Sequence, residues 1–346
     1  MILFGGSYTQ EVGPGLEGTG KGIYCFNFNQ KTGELQFLHV FLNRNTSYIA
    51  ISKCKKYLYS FQEVSKDKKP VVLSFEIQEN FSLKLLNQQS VAGGLPCHLS
   101  LINDTTLGVA CYQTGNVHLY AIEKNGLLKP CHQTITNIGS SLNKERQECA
   151  HAHMVIENNG QVFVPDLGID KIVVFNSLEN SLIEEYKINV SLGEGPRHIV
   201  FHKSGKVAFV INELTGNVLI LNKINSKYEV VKTINSIPNF FKETSSAAAI
   251  KLSLDGKFLY VSNRGCNTIA IFKFDIKTNK LELISQQLTF GDTPRDFTIS
   301  PDGNWLIAAN QDTNNLVVFE RNNKTGLLKK VNELKNINSV VCLKWM

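Results

Sequence analysis

The chain has 346 residues, 42% of them hydrophobic, and a formal net charge of +6 at pH 7. It has no run of about eighteen apolar residues, so no segment is expected to span a membrane, and its opening MILFGGSYT lacks the basic and long apolar regions of a signal peptide. The positive surplus sits on lysines scattered over loops (Lys66 to Lys69, Lys329, Lys330). That argues against a nucleic-acid partner, which needs a basic stripe, and leaves a field that favours a small anion.

Strand and turn signals then follow one another to the C-terminus. Alternating segments around Leu3–Tyr8, Gly22–Asn29 and Leu35–Leu42 predict three strands, the last two joined by the turn QKTGEL. The Gly-rich stretch Gly13–Gly22 lacks G-x-x-x-x-G-K-[ST] spacing and precedes a strand, so it reads as a rim loop and no nucleotide cofactor is expected. From Thr46 a longer unit begins, two strands about a tight turn followed by two more, and it recurs at Pro96, His151, Pro196, Ala247 and Pro294. The copies GPRHIVFHKSGKVAFVINE and TPRDFTISPDGNWLIAANQ show it most clearly, with turns at Ser204-Gly205 and Asp302-Gly303. Intervals between starts run from 44 to 55 residues, the period of a four-stranded propeller blade. The C-terminal SVVCLKWM matches only the first strand of a unit, and the N-terminus opens on a second strand.

The expected fold is therefore all-β, a seven-bladed β-propeller in which the C-terminal strand closes blade 1, with residues 1–346 as a single domain. Closure leaves only short, protected sheet edges. Blade 2 carries a charged hairpin at Lys66–Lys69, and blade 3 an outer turn NGLL. The polar stretch Ser140–Glu148 is the longest connection between blades and is expected to fold over the channel mouth. Asn239–Ser246 is a second rim loop. None of the eight cysteines forms a C-x-x-C pair, so neither a zinc nor a redox motif is present. The cysteines read as small buried hydrophobes of a reducing cytoplasm.

The register of the repeat locates a site. The start of each first strand and the end of each second strand converge on one mouth of the channel. The position of Arg197 reads Ser47, Cys97, Ala152, Arg197, Ala248 and Arg295 around the ring; the next reads Tyr48, His98, His153, His198, Ala249 and Asp296. The position of Glu213 reads Glu63, Gln113, Gly168, Glu213, Arg264 and Gln311, with Tyr8 from blade 1. Arginines, histidines and carboxylates gathered on one rim point to a ligand. The blander reading has Arg197 and Arg295 only pairing with Glu213 and Asp296 to stitch blades together, and the histidines acting as satisfied structural donors. His151 and His153, two apart on a strand, are expected to share a face. No acidic set completes a cage for a hard ion, so no metal is expected. Asp166 and Asp170 flank a Gly turn and read as turn residues; Cys97 reads as filler.

The chemistry follows from residue type. Arginine forks suit phosphate or carboxylate and can stabilise an oxyanion, while a histidine or glutamate can activate water or move a proton. No nucleophile elbow is present. The set suits water attack on an activated ester, or proton transfer beside a carboxylate.

The motifs FGGSYT, TSYIAIS, HAH, VPDLGIDKI, GPRH…NE, FLYVSNRG and TPRDFTISPDGNWLIAANQD make the whole chain resemble the lactonase-type seven-bladed propeller family. That family includes bacterial propeller-type 6-phosphogluconolactonases and fungal carboxy-muconate cyclases. The resemblance implies a catalytic set of a histidine (His151 or His153), Glu213, Arg197 and Arg264, with Tyr8, Glu63, His98, His198, Arg295 and Gln311 available for substrate. It implies a cytoplasmic, cofactor-independent hydrolase opening a small anionic sugar lactone, 6-phospho-D-glucono-1,5-lactone, in the pentose phosphate pathway. Open alternatives are another lactone, a muconate-type lactonisation, or a non-enzymatic propeller presenting its rim to a partner.

Overall fold

The computed structural model describes residues 1–13, 16–178 and 180–346. Seven four-stranded antiparallel sheets form a ring. In blade 1 the C-terminal strand Val340–Trp345 pairs with Ile2–Ser7 on the inner side of Gly22–Asn29 and Glu34–Leu42, so the expected clasp is present. Leu343 lies opposite Gly5, and Met346 donates its N–H to the Ile2 carbonyl at 3.0 Å. Among the described residues no helix is long and apolar enough to cross a membrane.

Apolar side chains fill the spaces between neighbouring blades, as a ring of mutually buried sheets requires. One cluster joins Phe4 and Cys342 of blade 1 to Tyr59 and Phe75 of blade 2 and to Val109 and Tyr120 of blade 3. The outer turns add a recurring contact. Gly33 of QKTGEL has φ +72°, and a Cβ there would lie 2.4 Å from the Trp305 ring of blade 7. Only glycine allows both the left-handed turn and that approach. Gly126 and Gly326 meet Tyr57 and Phe258 in the same way.

Two irregularities repeat around the ring. In all seven blades the register between third and fourth strands shifts just before a large apolar residue: Phe26, Phe75, Tyr120, Phe175, Leu221, Phe272 and Phe319, with a second shift in blade 3 after Tyr120. The second irregularity bears on function. On the innermost strands Pro96, Pro196 and Pro294 pair normally, but the next paired residues are His98, His198 and Asp296. Cys97, Arg197 and Arg295 are the extra residues of β-bulges, and bulges re-aim side chains.

Lys66–Lys69 lies, as expected, in the loop of a hairpin, between Tyr57–Phe61 and Val71–Ile77; within it Lys66–Lys68 form one 3₁₀ turn, closed by Lys69 in the left-handed region at φ 53°. One expectation of strand geometry is corrected: the regular first strand of blade 4 is only Ile156–Asn158, so the two histidines of HAH do not sit on a continuous strand. Ala152 makes an isolated bridge with Asp166, and His153 donates its N–H to the Pro165 carbonyl at 3.0 Å. Pro165 has no N–H to return, so the ladder stops there. Within the expected rim loop Gly13–Gly22, residues 14 and 15 lie outside the described residues; Gly18 and Gly20 pack against Tyr8 and Ser7.

Candidate active site

Glu213, at the end of the second strand of blade 5, is the centre of the mouth. Its Oε2 lies 2.9 Å from Arg197 Nε, 3.2 Å from Arg264 Nη2 and 3.7 Å from His153 Nε2. Its Oε1 lies 2.6 Å from Arg146 Nη2. Burial alone would raise the carboxyl, but the Arg264, Arg197 and Arg146 guanidiniums outweigh it and hold Glu213 well below the usual carboxylate range. Beside it opens a cavity of about 430 Å³, lined among others by Glu63, Arg146, His153, Glu213, Arg264 and Arg295.

Both arginines are fixed by the main chain at the start of blade 6, Arg197 from the preceding blade and Arg264 from within blade 6 itself. Arg197 Nη1 donates to the Ala248 carbonyl at 2.6 Å, and Arg264 Nη2 to the Ala247 carbonyl at 3.0 Å. The small residues of the blade 6 column are what let these guanidiniums reach the main chain. Burial pulls Arg264 down to about 10, which leaves it charged at neutral pH. Across the cavity the Arg295 guanidinium sits 5.3 Å from the centre of the Tyr8 ring. The Tyr8 hydroxyl donates to Glu63 at 3.1 Å, and Ser47 donates to the same carboxylate. Burial raises Glu63, against the lowering effects of Arg295, Ser47 and Tyr8.

The sequence spanning residues 2–345 matches the family model described as "Lactonase, 7-bladed beta-propeller". The chain belongs to the lactonase family of seven-bladed β-propellers. It is 35% identical over 312 residues to a 6-phosphogluconolactonase of Formosa agariphila, covering 86% of each chain. It is 32% identical to a 6-phosphogluconolactonase of Bacillus subtilis, covering 85% of each. A crystal structure from Bacteroides fragilis, described as a candidate 6-phosphogluconolactonase, superposes with a TM-score of 0.92 at 34% identity, over 99% of this chain and 97% of that one.

Within this lactonase-family propeller the expected site residues divide into layers. Glu63, His153, Glu213, Arg264 and Arg295 line the cavity, and Arg197 lies just beneath, in the floor. His98 and His198 do not reach the cavity. With Tyr48 they close the channel below it: Tyr48 and His98 have ring centres 4.3 Å apart, His98 and His198 5.5 Å, and His153 and His198 5.4 Å. Their other side meets a separate cavity near Lys251 and Lys344. Burial drives His98, His153 and His198 well below the usual imidazole range, so all three rings are neutral. Gln311 lies on an adjoining groove with Arg264, Arg295 and Thr293, its amide donating to Asp312 at 3.1 Å.

The two histidines of HAH part company. His153 faces Glu213, whereas His151 turns behind Tyr112, its ring stacked on that tyrosine at 4.3 Å and its Nδ1 donating to the Tyr112 carbonyl at 2.7 Å. Asp166 accepts from the His151 and Gly168 N–H groups, at 2.7 and 3.0 Å, and so is the turn residue expected. Cys97 is buried and its thiol is pushed well up, first by burial, which removes it as a nucleophile.

The repeat did not reveal Arg146. The loop carrying it does fold over the mouth: Gln147, fully buried, donates to the Leu167 carbonyl at 2.8 Å, and Asn143 accepts from the Arg146 N–H at 3.1 Å. Arg146 Nη2 also donates to the Tyr112 hydroxyl at 3.2 Å. The one signal in the sequence was a lone arginine in the longest blade-to-blade connection.

Proposed function

We propose that this mouth hydrolyses a sugar lactone, 6-phospho-D-glucono-1,5-lactone, to the open-chain acid. The observation that carries the reading is the charge pattern of the cavity: three arginines on its wall with Arg197 beneath them, two carboxylates and one neutral histidine, His153. The arginine surplus suits an anionic substrate. The names of the Formosa agariphila and Bacillus subtilis relatives support the choice of lactone.

His153 is the water-guiding base. Its ring is neutral with a nitrogen free to accept a proton, and the Glu213 carboxylate offsets part of the loss of basicity that burial and Arg197 impose on it. Glu213, paired with three arginines, is held ionised and is the weaker base. Water attacks C1 as its proton passes to His153, and the carbonyl oxygen gains the charge. Arg264, with Arg197 below it, stabilises that oxyanion. Glu213, 3.7 Å from His153 Nε2, stabilises the imidazolium while it lasts. The bond from C1 to the ring oxygen then breaks, and the ring oxygen takes the proton back from His153. The groove of Arg295 and Gln311 receives the phosphate. No covalent intermediate and no cofactor enters this scheme.

A reducing cytoplasm is the compartment we infer, supported by eight unpaired cysteines; the pentose phosphate pathway is the setting such a reaction implies. The test is hydrolysis of phosphorylated and plain gluconolactone by purified protein, with the spontaneous rate subtracted. Acceleration of the phosphorylated lactone, with a lower KM than the plain one, is expected. No acceleration of either would overturn the reading and favour lactonisation of a dicarboxylate or a binding role.

A further inference from the structure

Beside the mouth, on the far side of Tyr112, Glu148, Cys149 and His151 bring their ligand atoms within 4.8 Å of one another. His151 Nε2 is 3.2 Å from Glu148 Oε2 and 3.9 Å from Cys149 Sγ, and Cys149 Sγ is 3.8 Å from Glu148 Oε1. A tetrahedral zinc with bonds of roughly 2.0–2.3 Å holds its ligand atoms roughly 3.3–3.7 Å apart. The contacts run to different oxygens of the Glu148 carboxylate, and one ligand atom from each residue lies within 4.8 Å of the other two, so a small turn of that exposed side chain closes the triangle.

The orientation of His151 is an independent observation. A carbonyl can only accept, so Nδ1 carries the proton it gives to Tyr112 at 2.7 Å. Nε2 then faces a carboxylate oxygen at 3.2 Å, an arrangement that calls for a positive charge between them, supplied either by a proton or by a metal ion. A histidine whose second nitrogen donates to a backbone carbonyl is held as a metal ligand is held. The frame is rigid: His151 is stacked on Tyr112 with an interplanar angle of 9°, and a Cβ on Gly168 would lie 1.8 Å from the Cys149 carbonyl oxygen and 2.9 Å from His151 Cδ2. Glu148 is exposed, which leaves the fourth vertex to water.

We propose that Glu148, Cys149 and His151 form a site for one borderline-soft divalent cation of the zinc class, outside the lactone cavity. Binding releases the Cys149 thiol proton to solvent, and the thiolate, the imidazole and one carboxylate oxygen coordinate the ion. Tyr112 joins the site to the mouth, because its ring packs on His151 while its hydroxyl accepts from Arg146. The ion therefore braces the loop that presents Arg146 and takes no part in the chemistry at His153.

The test is a Co²⁺ titration of the chelator-treated full-length protein, followed by absorption. One equivalent should give a thiolate-to-cobalt charge-transfer band that Zn²⁺ abolishes. The band should be absent in Cys149→Ser, which should keep wild-type lactone turnover and so be shown folded. In Glu148→Gln, binding should weaken at least tenfold. Zn²⁺ should raise the melting temperature of the wild type and leave that of Cys149→Ser unchanged. No band in the wild type, or a band that persists in Cys149→Ser, would overturn the site.

Discussion

Arg146 Nη2 meets Glu213 Oε1 at 2.6 Å, joining the loop after blade 3 to the second strand of blade 5. Arg197 and Arg264 approach the other oxygen of the same carboxylate, so Arg146 holds its position alone. Its side chain is 40% exposed and its removal leaves Glu213 with two buried partners. Arg146→Ala should lower kcat/KM about tenfold to a hundredfold, the scale of one charge-assisted contact to substrate or site. The melting temperature should hold within about 2 °C, since a partly exposed pair contributes little to stability. A steady-state assay beside a melt separates the two, and an unchanged kcat/KM would make the loop a bystander.

Buried histidines set the pH dependence of stability. His98, His118, His153, His198 and His202 are all pushed below the ordinary value of 6.5, mainly by burial, His118 to about 4. Below pH 6.5 the unfolded chain takes up protons that the folded chain refuses, so stability falls with falling pH by about 1.4 kcal/mol per pH unit for each such group. Glu213, held low, adds a loss below about pH 4.5. Glu63, held high, runs the opposite way, costing stability as pH rises through 4.5. The histidines outweigh Glu63, and melts from pH 8 to pH 5 should show the midpoint dropping once pH passes below 6.5. A flat profile over that range would mean the rings are protonated or open to water in solution.

The ring closes through Val340–Trp345 alone in blade 1. Deleting residues 339–346 removes Val340, Val341, Cys342 and Leu343 from the core and leaves Ile2–Ser7 as an open edge. Aggregation on expression, or a loss of cooperative melting, is the expected result. A truncated chain that stays monomeric and melts as before would show that the clasp is dispensable.

Lactone hydrolysis by His153 and the arginines needs no metal, so exhaustive chelation should leave turnover at the wild-type value. Activity lost to a chelator and restored by a divalent ion in Cys149→Ser as well as in the wild type would move the chemistry to a metal-activated water.

The blades were legible in the sequence because the unit recurs with its own turn, as at Ser204-Gly205 and Asp302-Gly303. Glu213, Arg197, Arg264 and Arg295 were legible for the same reason, since the repeat supplies a register in which charged residues stand out. The register could not say which neighbours share the cavity. Arg197 and His198 are adjacent, and a regular strand would point them apart; the bulge between Pro196 and His198 sends Arg197 to the floor of the mouth and His198 into the plug below it. His151 and His153 were indistinguishable because their separation hangs on Pro165, an irregularity in the opposing strand. Arg146 was out of reach because its loop belongs to no repeat, and its place depends on the burial of Gln147.

The central claim is that the arginines around Glu213 stabilise charge developing on a lactone. Arg197 is a blunt probe of it, because removing one partner of a fully buried pair costs roughly 3–5 kcal/mol of stability by itself. Arg264 lines the cavity and keeps 15% of its side chain exposed, so it can be changed with less damage. The decisive measurement is kcat/KM of Arg264→Lys on 6-phospho-D-glucono-1,5-lactone, taken beside its melt. Lysine keeps the charge and loses the fork. We predict a fall of about 10²–10³-fold, the scale of one lost oxyanion donor, with the melting temperature within a few degrees of wild type. Near-normal turnover on a protein that melts normally would contradict the account.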